Sequence, residues 1–226
     1  MATSSLFFAA LILPMALVAC KPQQAEPSPN ASPATEASAR PVSLDKPTSV
    51  GTQADSKPAP QDNGFADLAE SLHLNCENAA NGTGCVSGNM EAGDFYDIDL
   101  SPSCDADGNF AGLAEPNAAL LDSLPVTGSK AQTTARLSNK QFVCILATAH
   151  TGQQSDYYYV AAIPPTSVSA CRGKPICNLY GERPIEFISQ HKQGKICTLT
   201  SDARPEGDCA QGWIEAQKLD VFSDGI

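Results

Sequence analysis

Gln141-Phe142-Val143-Cys144-Ile145-Leu146-Ala147-Thr148-Ala149 and Tyr157-Tyr158-Tyr159-Val160-Ala161-Ala162-Ile163 are two apolar, strand-like runs, joined by the polar stretch Thr151-Gly152-Gln153-Gln154-Ser155-Asp156. Two such runs around a short glycine-containing linker spell a β-hairpin. Working outward, Tyr96, Ile98 and Leu100 alternate with Asp97 and Asp99, the pattern of a strand with one wet face. Ile185 to Ser189, Lys195 to Thr200 and Trp213 to Ala216 add short strands between turn residues. Helix is a minor component. Phe65, Leu68, Ala69 and Leu72 fall at i, i+3, i+4 and i+7 behind a candidate Asn63 cap, which predicts a short leading helix. Residues 116–124, Pro-Asn-Ala-Ala-Leu-Leu-Asp-Ser-Leu, suit two helical turns with Pro116 near the start. The set predicts a mainly β domain, a small barrel or sandwich with short helices.

That domain spans 63–226 and is long enough for one hydrophobic core. It carries eight cysteines: Cys76, Cys85, Cys104, Cys144, Cys171, Cys177, Cys197 and Cys209. An even number in a chain bound for an oxidising compartment reads as four disulfides, and eight cysteines allow about 105 pairings. Short loops rich in Gly and polar residues favour Cys76–Cys85, Cys171–Cys177 and Cys197–Cys209 as local staples, leaving Cys104 and Cys144 to tie distant strands. Spacing alone does not choose among the pairings. A zinc site would want Cys-x-x-Cys pairs with histidine, and no such motif occurs, so neither metal nor cofactor is expected.

Gly212-Trp213-Ile214-Glu215-Ala216-Gln217-Lys218-Leu219 resembles the closing Gly-Trp-Val-x-Ala-x-x-Leu segment of bacterial SH3-like domains. The resemblance implies a strand carrying the aromatic residue, a single helical turn, and a leucine returned to the barrel. It also implies a cell-wall binding module. Domains of that family are much shorter and lack this cysteine set, so the stretch between Pro164 and Asp208 is expected as a disulfide-stapled insertion in an SH3-like fold. Trp213 reads first as core packing and second as a ligand-stacking platform.

At the other end, Leu17-Val18-Ala19-Cys20 closes an apolar run that starts at Leu6 and resembles the lipobox of bacterial lipoproteins. The run is too short for a stable membrane-spanning helix, which takes about 20 residues, and suits a signal h-region. The resemblance implies that residues 1–19 are a signal peptide cut before Cys20, whose thiol receives a diacylglyceryl group and whose new amine is acylated. At about 0.8 kcal/mol per buried CH₂, two or three chains anchor the protein essentially permanently. Lys21, where an aspartate would retain the protein at the inner membrane, implies the periplasmic leaflet of the outer membrane. Residues 20–62 then form a tether. Eight prolines and no aromatic residue between 21 and 62 cannot offset the entropy of ordering, so disorder is expected there. As a flexible coil the tether spans about 35 Å, and fully extended roughly 130 Å.

Charge is segregated along the chain. From Asn63 to Ser129 there are eleven Asp or Glu and no Lys or Arg; from Lys130 to Ile226 nine acids meet ten bases. Nucleic acid is disfavoured as a partner because phosphates want a basic patch, and anionic polymers are repelled likewise. A basic protein is what Asp94, Asp97, Asp99, Asp105 and Asp107 would attract. Asp105-Ala106-Asp107-Gly108-Asn109 begins like a calcium loop, but Phe110 and Pro116 stand where Gly and the distal Glu are needed, so it reads as a turn. His150 with Ser169-Ala170-Cys171-Arg172 faintly resembles the arrangement of L,D-transpeptidases, without the glycine before the cysteine and with Cys177 as a ready disulfide mate. His73 and His191 stand apart from any metal or relay spacing. No nucleotide or hydrolase fingerprint occurs, and a non-enzyme is expected. Two functions follow: a protein-binding inhibitor or immunity protein against a basic wall- or membrane-degrading enzyme, and, as the alternative, a peptidoglycan-binding module.

Overall fold

The hairpin of β7 (Phe142–Thr151) and β8 (Gln154–Ala162) lies at the centre of the fold, with Gly152 in its turn at φ 66°. The computed structural model describes residues 64–105, 107–190, 192–223 and 225–226; the lipobox with Cys20, the proline-rich tract and the Asn63 cap lie outside the described residues. Ahead of the hairpin come α1 (Gly64–Ser71), β1 (Asn75–Asn78), β2 (Thr83–Asn89), β3 (Asp94–Leu100), β4 (Asn109–Leu113), β5 (Ala118–Leu121) and β6 (Thr133–Leu137). After it come α2 (Pro175–Leu179), β9 (Ile185–Phe187), β10 (Thr198–Leu199), β11 (Pro205–Glu206), β12 (Gln211–Glu215) and β13 (Leu219–Val221). The domain is mainly β, as its patterning predicts.

Among the described residues eleven strands form one antiparallel sheet in the order β1-β2-β3-β7-β8-β12-β5-β6-β9, and β4 pairs with both β7 and β13. β3 and β4 divide one edge of β7: β4 runs along Phe142–Ile145 and β3 along Ala147–His150. β1 and β9 end the path without pairing, so the sheet is open and is not the closed barrel that was one of the two expected forms.

β7 is apolar almost throughout because both of its faces are covered. Val143 and Ile145 pack with Leu113 of β4, Leu120 of β5, Leu137 of β6 and Ile214 of β12. Phe142, Cys144 and Leu146 face the other way, onto Phe110, Ile163 and Val168, and the Phe110 ring stacks on Phe142 at 5.4 Å. A bulge between Ile145 and Ala147 shifts the register, after which Ala147 and Ala149 join Ile98, Leu124 and Trp213.

Two expectations are corrected. Residues 116–124 contain the strand β5 at Ala118–Leu121 and no helical turns. Asn117 takes φ 58°, outside the helical region, and Ala118 and Leu120 point alternately inward opposite Leu137 and Ala135 of β6. Burial against the following strand outweighs local helix propensity. Within Lys195 to Thr200 only Thr198–Leu199 is a strand. The leading helix does form, with Ala69 buried and Leu68 against the core.

The disulfides join Cys76 to Cys85, Cys104 to Cys144, Cys171 to Cys177 and Cys197 to Cys209, the set that loop length favours. Cys104–Cys144 fastens the β3–β4 connection to β7 inside the core. At the C-terminal end, β12 carries Trp213, residues Ala216–Lys218 make a single 3-10 turn, and Leu219 returns to the core as β13 pairs with β4. Gly212 allows this strand to close on β5: a Cβ there would stand 2.7 Å from the Leu121 carbonyl oxygen.

Candidate functional site

Strand alternation decides which acidic residues face solvent. On β3, Tyr96, Ile98 and Leu100 point into the cluster around Trp213, so Asp97 and Asp99 point out, and both are exposed. On β1, Cys76 points into the same cluster and Glu77 points out. The Glu77 side chain lies over Gly84, where an added Cβ would come within 2.7 Å of Glu77 Cγ. Glu77, Asp97 and Asp99 therefore share one outward face of the β1–β2–β3 ribbon. The Cys76–Cys85 disulfide, across directly paired positions, holds that ribbon in register.

His150 of β7 completes the group. It lies opposite Asp97 in register, its Nε2 is 3.0 Å from Asp99 Oδ2, and its Nδ1 is 3.4 Å from Ser155 Oγ. The ring is three-quarters covered while Asp99 stays 85% exposed, so the histidine braces one side of a carboxylate that otherwise faces water. Among the described residues no Lys or Arg forms an ion pair with Glu77, Asp97 or Asp99. The bases that do reach acids of the N-terminal half go elsewhere: Arg204 to Asp67 at 3.5 Å and Lys218 to Glu115 at 2.6 Å. Folding thus brings no Lys or Arg to Glu77, Asp97 or Asp99 among the described residues, and His150 is the one group that braces Asp99.

The other proposed contacts separate from this face. Asp94 is committed to loop structure: its carboxylate accepts from the Thr127 and Asn89 backbone N–H groups. The Thr127 side chain first, then the Thr127 and Asn89 backbone N–H groups, hold its carboxyl below the usual aspartate range. Asp105 accepts from Ser103 Oγ and from its own turn at Asp107 N, both at 3.0 Å, so the segment is the turn its sequence predicts. Asp107 is exposed on that turn. Trp213, 1% exposed and edge-on to Tyr159 at 5.4 Å, is core packing and offers no stacking platform. Cys171 spends its sulfur on Cys177, so no thiolate stands ready there.

Two polar residues have partners that their sequence neighbours do not reveal. His150 stands near the end of β7, and nothing local pairs it with Asp99 fifty-one positions earlier. Gln141 is 1% exposed and fastens the start of β7: its Oε1 accepts from Arg183 N at 2.8 Å and its Nε2 donates to the Phe142 carbonyl at 2.9 Å. A glutamine opening an apolar run was the available signal.

Compared with models of known protein families, with curated proteins and with solved structures, the chain matches none.

Proposed function

We propose that the protein is an envelope lipoprotein, anchored through Cys20 in the periplasmic leaflet of the outer membrane, that binds a basic protein. It acts as an inhibitor or immunity protein against a basic wall- or membrane-degrading enzyme, and its role is binding rather than catalysis. The supporting observation is the face formed by Glu77, Asp97 and Asp99: three carboxylates on a disulfide-stapled ribbon without a Lys or Arg partner among the described residues. Like charges held on a rigid surface cost stability unless a partner uses them, and a fixed negative patch raises the encounter rate of a cationic protein. The expected contact set narrows accordingly. Asp97 and Asp99 remain, Glu77 joins them, and Trp213, Asp94, Asp105 and Asp107 leave.

Association kinetics with a cationic lysozyme as probe test this reading. The triple variant Glu77→Gln, Asp97→Asn, Asp99→Asn should associate about tenfold more slowly at low ionic strength, the difference shrinking near 0.1 M salt, where the Debye length is about 10 Å. Equal rates at every salt concentration would sink it.

A second reading, an SH3-like peptidoglycan-binding module, draws on the Gly212–Leu219 segment, whose strand, single turn and buried leucine suit the resemblance. The burial of Trp213 removes the ring through which such a module would stack on its ligand.

A further inference from the structure

The connection from β8 to β9 encloses a second feature. Two 3-10 turns, Pro165–Ser167 and Ser169–Cys171, are followed by α2, and the Cys171–Cys177 disulfide ties the second turn to that helix. The segment after α2 is held against β7 by Gln141 and by the backbone bond from Phe142 N to the Gly181 carbonyl at 2.9 Å. Between these parts lies an open cleft of about 520 Å³. That is within the roughly 300–1,000 Å³ usual for small ligands. Val168 and the two cysteines form a buried apolar floor. Thr166, Ser169 and Asn178 supply hydroxyl and amide groups to the lining, and Arg172 and Glu182 supply opposite charges. Among the described residues none of these five side chains has a hydrogen-bond or ion-pair partner. Arg172 and Glu182 share the cleft yet do not pair with each other, whereas the half-buried Lys218 and the exposed Glu115 meet at 2.6 Å.

A guanidinium and a carboxylate that line one cleft without pairing, above a buried apolar floor, match a ligand with a carboxylate at one end and an ammonium at the other. We propose that this cleft binds a short peptide with free amino and carboxyl termini. Arg172 takes the carboxylate, for which its planar fork is suited, and Glu182 takes the ammonium. Thr166, Ser169 and Asn178 bond the peptide groups between, and Val168 with the disulfide receives small apolar side chains. The acidic face of β1 and β3 has no part in this.

Titration calorimetry on the full chain in detergent, with trialanine, N-acetyl-trialanine and trialanine amide, tests the assignment. Unblocked trialanine should bind about tenfold or more tightly than either blocked form, each of which lacks one charge-assisted contact. Arg172→Gln should abolish the preference over the amide alone, and Glu182→Gln the preference over the acetylated form alone. Both side chains are exposed, and thermal melts check that the variants stay folded. Equal binding of the three peptides, no binding of any, or variants that keep both preferences would overturn the proposal. The Glu77, Asp97, Asp99 triple variant should bind trialanine as the parent chain does, so the two sites succeed or fail separately.

Discussion

Replacing Cys104 and Cys144 together by alanine should destabilise the domain more than replacing any other disulfide pair. The cross-link closes 40 positions, against 6 for Cys171–Cys177. In the chain-entropy treatment the denatured state of the longer loop loses about 3.9 kcal/mol of freedom and that of the shorter about 2.2 kcal/mol. Both pairs are buried, so the sulfur atoms removed leave comparable gaps, and the difference of about 1.7 kcal/mol reports mainly on loop length. With a urea slope of about 2 kcal/mol/M, the midpoint of Cys104→Ala, Cys144→Ala should lie about 0.8 M below that of Cys171→Ala, Cys177→Ala. Urea unfolding followed by Trp213 fluorescence reads this directly, since it is the chain's one tryptophan and is buried. Equal midpoints, or a lower one for the short-loop variant, would refute the claim that Cys104–Cys144 is the tie between distant parts of the fold.

Alkaline pH should expose the burial of Tyr159, whose phenol is pushed up to about 12 by desolvation from an ordinary 10. The folded state holds this proton more tightly than the unfolded, so its contribution is complete below pH 10 and is lost as pH rises to 12; at 1.36 kcal/mol per pH unit the total is about 2.7 kcal/mol. Urea midpoints at pH 9 and pH 11.5 should therefore fall further for the parent chain than for Tyr159→Phe, and parallel falls would remove Tyr159 as the cause. For the anchor, Cys20→Ser should leave an unprocessed chain that takes up no radiolabelled palmitate; labelling at the parental level would end the lipoprotein reading.

The acid face and the cleft arise from opposite uses of disulfides. Cys76–Cys85 flattens charge onto a rigid ribbon, where a large partner can meet it. Cys171–Cys177 curls a segment without long secondary structure around a volume suited to a small ligand. In both, a covalent link adds to the apolar burial around it.

What the sequence by itself determined is whatever depends on neighbours along the chain. Two apolar runs around Gly152 specify the central hairpin and alternation from Tyr96 to Leu100 specifies a half-wet strand, while short loops favour three staples without excluding the other pairings, which the fold then settles. The absence of Lys and Arg from Asn63 to Ser129 likewise announces an acidic half. Only the tertiary structure decided the rest. Residues 116–124 hold apolar positions that satisfy either a helix or a strand, and β6 settles the matter by offering Leu137 and Ala135 to Ala118 and Leu120. Which carboxylates act together was equally hidden: Asp94 differs from Asp99 only because Thr127 reaches the one and His150 the other. Arg172 and Glu182 look like unrelated surface charges until the backbone bond from Phe142 N to Gly181 and the bond from Arg183 N to Gln141 fix the segment after α2 beside the cleft. Propensity and covalent spacing act over a few residues, whereas register and side-chain pairing are set by contacts between segments tens of residues apart, whose energies depend on the whole fold being present.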